Sequence, residues 1–170
     1  MKPLLQAMKE RRLYLDGGMG SMLQAAGLPE GLLPDVWGMQ NPAAVQGVHR
    51  AYLEAGARLI TTNTFGTSAP KLAPYGVTVD EVMAAAVANV RQAMQQAGED
   101  AYVCADLGPS GKLLRPYGDL DFEDAVTLFA ETVRAAAKAG ADCILIETMS
   151  DLYEMKAAVL AAKENCDLPV

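Results

Sequence analysis

The sequence predicts a parallel α/β fold built from four strand, loop and helix units, and three observations carry that prediction. Four short apolar runs, Leu13-Tyr14-Leu15, Leu59-Ile60-Thr61-Thr62, Tyr102-Val103-Cys104-Ala105 and Cys143-Ile144-Leu145-Ile146, recur at intervals of roughly 40 to 46 residues, the length of a generous βα unit. The runs lack a clean in/out alternation, as strands covered on both faces do. Helix-periodic stretches close at Ala55-Gly56, Ala97-Gly98 and Ala139-Gly140, each a few residues before the next run, where glycine takes the left-handed position after a helix at little cost.

Each unit can be justified in order. The first run leads directly into Asp16-Gly17-Gly18-Met19-Gly20. A helical face of Val45, Val48, Tyr52 and Leu53 precedes the second run, and Thr78 with Glu81 has the spacing of a capping box at the start of the next helix. Phe122, Val126, Phe129 and Val133 form a third apolar face, and Asp151 with Glu154 repeats the capping spacing after the fourth run. Short links between strands and helices imply right-handed crossovers and a parallel sheet, either doubly wound or closed into a barrel. A closed barrel needs eight units in about 250 residues. Residues 1–170 supply four, with Leu168-Pro169-Val170 standing where a fifth strand would start.

Composition narrows the function classes. The chain has 51% hydrophobic residues and a net charge of -7, which fits one globular domain and excludes the clustered basic surface that nucleic-acid phosphates require. Lys2, Lys9, Arg11 and Arg12 are not followed by an apolar signal segment, and no run approaches the length of a membrane span. Three widely spaced cysteines, Cys104, Cys143 and Cys166, suit reduced thiols and a cytoplasmic address rather than a disulfide framework.

In parallel βα folds the site forms at the carboxyl ends of the strands. Here those ends read Asp16-Gly17-Gly18, Asn63-Thr64-Phe65-Gly66, Asp106-Leu107-Gly108-Pro109-Ser110-Gly111 and Glu147-Thr148, and all four converge on one rim. The glycines after the first run either let backbone N–H groups approach an anion or form an ordinary tight turn. A carboxylate at a buried strand end is costly unless a cation or several donors satisfy it. For Asp16 and Glu147 that partner is either a substrate ammonium or an Arg or Lys of the domain. Asn63 and Thr64 are equally suited to satisfying backbone groups of their loop. His49 lies within a helix, far from any strand end, and reads as a packing or surface histidine; Met83 and Met94 read as core filler.

At these rims the sequence resembles the homocysteine S-methyltransferase family, in particular the homocysteine-binding domain of cobalamin-dependent methionine synthases. The carriers are the segments from Leu15 to Gln24, Val48 to Ala57, Thr61 to Gly66, Asp106 to Gly111, Ile144 to Asp151 and Glu154 to Ala158. The resemblance implies a (β/α)8 TIM barrel, of which residues 1–170 are the N-terminal half. It implies that Asp16 and Glu147 hold the ammonium of homocysteine, that the backbone at Gly17 and Gly18 holds its carboxylate, and that Asn63 and Thr64 line the pocket. The implied reaction moves a methyl group to sulfur, from methylcobalamin recharged by methyltetrahydrofolate or from another donor such as betaine. Zinc holds the substrate sulfur as thiolate, which a thiol with a pKa near ~8.5 requires at neutral pH.

Ser21 stands where the family usually has threonine and keeps the hydroxyl. The family's zinc ligands are cysteines of later strands, expected beyond residue 170. The three cysteines present are not expected to replace them, because three ligands must converge within about 2.3 Å of one metal. Cys143 opens its strand about 13 Å below Glu147, Cys104 lies inside a strand, and Cys166 follows a helix. No residue of the chain is therefore expected to bind metal or to act as a catalytic group. An open half-barrel would expose two sheet edges and an apolar inner face, so a binding or assembly module that pairs with itself or with a C-terminal half is the alternative reading. Pterin-dependent and aldolase-type barrels fit the periodicity but not the ordered motifs, and no lysine sits at a strand end for Schiff-base chemistry.

Overall fold

The computed structural model describes all residues, Met1–Val170. Helix α1 (Leu4–Glu10) is followed by α2 (Met19–Ala25), α3 (Pro34–Gln40), α4 (Pro42–Glu54), strand β1 (Leu59–Thr61), the short α5 (Ala69–Leu72) with a 3-10 turn at Ala73–Tyr75, and α6 (Val79–Ala97). Then come β2 (Tyr102–Leu107), α7 (Phe122–Ala139), β3 (Cys143–Ile146) and α8 (Leu152–Asn165). The three strands form one parallel sheet in the order β1-β2-β3. Successive neighbours joined through α6 and α7 are what βα units produce.

The expected first strand is reduced to an isolated bridge between Leu15 and Leu59. Its backbone still bonds to β1, through Leu59 N to Tyr14 O (3.0 Å) and Asp16 N to Leu59 O (3.0 Å). Three residues with one neighbour sustain no longer ladder, and Tyr14 and Leu15 remain 60% and 45% exposed. At the other edge, Ile144 N donates to Pro169 O at 2.8 Å, so the residues after α8 run alongside β3.

Strand alternation sorts the side chains onto two faces. Ile60, Val103, Ala105, Leu107 and Ile144 point outward and pack on Leu53 of α4, Val82 and Val90 of α6, Phe129 and Val133 of α7, and the alanines of α8. Burying a side chain such as Ile60, with no exposed surface, stabilises the fold by roughly 2 kcal/mol. Tyr102, Cys104 and Cys143 point inward, where Leu4 and Ala7 of α1 cover the amino ends of the strands. Tyr102 Oη fixes that cover by donating to Lys2 O at 2.7 Å.

Helix punctuation follows the sequence with one exception. Thr78 and Glu81 form the reciprocal capping box, and Gly56, Gly98 and Gly140 have φ of 104°, 66° and 86°. Asp151 caps α8 by accepting from Tyr153 N at 2.7 Å, but Glu154 does not turn back to it. Glu154 is buried instead and accepts from both the backbone N–H (2.8 Å) and the hydroxyl (2.5 Å) of Ser110. The donors of the loop after β2 outcompete the cap because they are shielded from water. Met83 is fully buried and Met94 packs against the core. His49 is fully buried with both ring nitrogens unpartnered, and burial lowers its pKa to about 4.

Candidate functional site

A cleft of roughly 520 Å³ opens at the carboxyl ends of the strands. Asp16, Gly17, Gly18, Asn63, Thr64 and Glu147 all line it, joined by Asp35, Asp106 and Thr148. No lysine, arginine or histidine contributes to the lining.

Asp16 is positioned by the neighbouring strand. Its Oδ2 accepts from Thr61 N at 3.0 Å and its Oδ1 from Thr61 Oγ1 at 3.0 Å. Burial raises its pKa to about 6, against the lowering effect of the Thr61 bonds and with a smaller upward push from the Glu147 charge. Glu147 follows β3 and is fixed through its backbone, whose N–H donates to Leu107 O at 3.1 Å. Neither carboxylate takes part in an ion pair, so the intradomain Arg or Lys partner is not what satisfies them.

Gly17 and Gly18 do not use a positive φ, so the requirement for glycine is not a left-handed turn. At Gly17 it is space: a Cβ there would sit 2.8 Å from Tyr52 Oη. That hydroxyl donates to Gly18 O at 3.1 Å and pins the segment to α4.

Asn63 and Thr64 turn their polar atoms toward the protein. Asn63 Nδ2 donates to Pro34 O at 2.8 Å, and Thr64 Oγ1 donates to Asp106 O at 2.8 Å. Thr62 Oγ1 lies 2.6 Å from Thr64 Oγ1 and accepts from Asp106 N at 3.1 Å. Each hydroxyl has one proton, so the chain of donors runs from Asp106 N to Thr62, Thr64 and back to Asp106 O. The pair of threonines clamps the end of β2 to the loop after β1.

Three lining residues were missed as site residues. Asp35, near the start of α3, is buried and accepts from Gly66 N (3.0 Å) and Thr67 Oγ1 (2.7 Å), which holds the loop after β1; burial raises its pKa. Asp106 was legible as a rim residue, and its position shows more. It is 6% exposed, its Oδ1 has no hydrogen-bond partner, and burial followed by the charges of Glu147, Asp35 and Asp16 raises its pKa to about 8. Thr148 is the one non-glycine residue at positive φ, 58°, a conformation that costs a β-branched residue about 1 kcal/mol.

The three thiols do not gather at one point, although two of them are neighbours. Cys104 and Cys143 are buried register partners on β2 and β3, and Cys166 lies at the end of α8 with its Sγ near Ala162 O, 3.4 Å away. No three Cys, His, Asp or Glu side chains are grouped as metal ligands.

A family model described as homocysteine S-methyltransferase matches residues 13–170. The chain belongs to that family. Among curated relatives, the methionine synthases of Mycobacterium tuberculosis and Mycobacterium leprae are each 36% identical over 83 residues, 44% of this chain and 7% of theirs. The homocysteine methyltransferase MmuM of Escherichia coli matches in its metallated form with a TM-score of 0.81 and 23% identity, over 96% of this chain and 63% of that one. Its apo form matches with a TM-score of 0.71 and 25% identity, over 96% and 58%. The three-stranded sheet is thus part of the homocysteine methyltransferase barrel fold. The chain spans a small part of the methionine synthases and less than two thirds of the MmuM structure.

Proposed function

We propose that residues 1–170 form the amino-acid-binding, N-terminal portion of a (β/α)8 barrel domain in a homocysteine S-methyltransferase of the methionine synthase type. The observation that carries this reading is the uncompensated acidity of the cleft: Asp16, Asp106 and Glu147 line it without a basic neighbour. An amino acid's ammonium supplies the missing cation. Asp16 and Glu147 would hold that group of homocysteine, the backbone at Gly17 and Gly18 its carboxylate, and Asn63 and Thr64 would shape the wall. The methyl group would pass to the homocysteine sulfur from methylcobalamin recharged by methyltetrahydrofolate, or from another donor, and the likeness to methionine synthases supports methionine as the product.

When bound, zinc supplies a stabilised thiolate in this family. The residues present do not fit it, since Cys104 and Cys143 pair with each other beneath Leu4 and Ala7, Cys166 lies apart at the end of α8, and none lines the cleft. These 170 residues are therefore expected to bind the amino acid without transferring methyl. Zinc-dependent methionine formation by the purified chain refutes that expectation. Binding itself is tested by calorimetry with L-homocysteine: saturable heat that Asp16→Ala and Glu147→Ala each weaken at least tenfold supports the assignment, and equal affinity of all three proteins overturns it.

A second reading, association with a copy of itself or with a C-terminal half, is favoured by the inner sheet face, where Leu15 is 45% exposed and Leu59 and Leu145 are half-buried. A monodisperse dimer on a sizing column supports it; a monomer rules out self-pairing. No helix is long and apolar enough to cross a membrane, and the three free thiols support a cytoplasmic setting.

A further inference from the structure

Asp106 occupies the centre of the rim. It belongs to the middle strand, on the inward face it shares with Tyr102 and Cys104, paired in register with Leu145, two residues before Glu147. The bonds of Thr62 and Thr64 to its backbone leave it no freedom to withdraw. Its Oδ1 is buried without a partner, and three other carboxyl groups line the same cleft. A buried oxygen with no donor is an expensive arrangement, and this one, unlike the ring nitrogens of His49, belongs to a residue that lines an open cleft where a ligand can supply the donor. The counterpart must bring positive charge and several N–H donors. No three of these groups are gathered as metal ligands are, whereas an ammonium's three protons reach three separate acceptors.

We propose that Asp106 is a third acceptor for the substrate ammonium, and that arrival of the amino acid expels a proton from the Asp106 carboxyl to solvent. The inference rests on the amino-acid reading above. In the empty cleft Asp106 carries its proton at neutral pH, because burial and the facing carboxylates of Asp16, Asp35 and Glu147 oppose its charge. The bound ammonium reverses that balance: the O–H bond of Asp106 breaks, the proton leaves to buffer, and an N–H···O⁻ bond forms. Binding by this cleft is thereby coupled to pH, in the range where Asp106 titrates.

The test is calorimetry with L-methionine, which lacks a titrating thiol, in buffers of different ionisation enthalpy. At pH 7 the protein is expected to release most of one proton per methionine bound, and affinity is expected to rise several-fold from pH 6.5 to 7.5. Asp106→Asn is expected to cut the release to about 0.1 proton, the part Asp16 contributes, and to flatten the pH dependence to less than twofold. Saturable binding to the unmodified chain without net proton release overturns the inference and leaves the amino-acid reading standing, and this measurement does not depend on the variant folding. Release undiminished in Asp106→Asn likewise overturns it. Absence of any saturable methionine heat removes the amino-acid reading, and the inference with it.

Discussion

Replacing Asp106 with asparagine should stabilise the empty protein at alkaline pH and leave it nearly unchanged in acid. The sign follows from linkage. The carboxyl titrates near 3.8 in the unfolded chain and at about 8 in the folded one, so between those values the native state binds the proton more tightly. Stability is fully present below the unfolded pKa and is lost as pH rises through the folded one. The shift corresponds to a loss on the order of 5 kcal/mol between pH 4 and pH 8. Relaxation and water entry reduce the realised loss, and a gain of about 2 to 4 kcal/mol at pH 8 is expected for Asp106→Asn, with less than about 1 kcal/mol at pH 4. Asparagine keeps the size and the lone oxygen of the protonated acid, so cavity and packing effects cancel. Urea denaturation followed by the fluorescence of Trp37, the single tryptophan and 8% exposed, measures the difference. A stability difference that stays constant from pH 4 to pH 8 would show that Asp106 is ionised in the folded state, and would refute the reasoning.

Gly17→Ala places a methyl group 2.8 Å from Tyr52 Oη, so methionine binding should weaken more than tenfold by calorimetry, with partial recovery when Tyr52→Phe removes the oxygen. Glu154→Ala leaves two buried donors of Ser110 unsatisfied and should destabilise the fold by about 2 to 3 kcal/mol in urea, whereas Glu154→Gln, which keeps the accepting oxygen, should cost less than half of that. His49 has its pKa lowered from 6.5 to about 4, so its own contribution to stability should fall by about 3 kcal/mol as pH drops through that window, opposing the gain from Asp106; His49→Leu should remove this acid loss, and Asp106→Asn, by removing the opposing gain, should make it more visible.

The rim was legible because its residues follow apolar runs directly: Asp16, Asn63 and Glu147 each stand one or two positions beyond a strand-like segment, and sheet geometry does the rest. Residue types did not reveal burial depth. Asp106 and Glu147 both follow apolar runs, yet one is buried and the other exposed, because Asp106 sits on the central strand with neighbours on both sides. Asp35 was illegible since its partners, Gly66 and Thr67, lie more than 30 residues away. Glu154 was misread for the same reason: three-residue spacing to Asp151 suggests a local cap, and the competing donor at Ser110 appears only in the fold. The first run was overread as a strand because apolar content does not report how many ladder partners a segment will find.

Taken together, the orphan oxygen of Asp106, the strained backbone of Thr148 and the raised pKa of Asp16 all oppose folding, and all three lie in one cleft. Around them the fold spends its strongest polar devices: the Thr62 and Thr64 clamp, the Asp35 tie to Gly66 and Thr67, and the Glu154 tie to Ser110. Those ties hold the loops after β1 and β2 and the end of β2, the segments that would otherwise move to let Asp106 reach water. A rim built only for stability would let its carboxyls turn outward, where hydration removes their cost. Holding Asp106 inward without a partner makes sense when a cationic ligand relieves the cost on arrival, since the free energy stored in the empty cleft then returns as affinity. The same ties explain why the site tolerates its own charge: parallel strands in fixed register cannot separate the carboxyls without breaking the sheet that carries them.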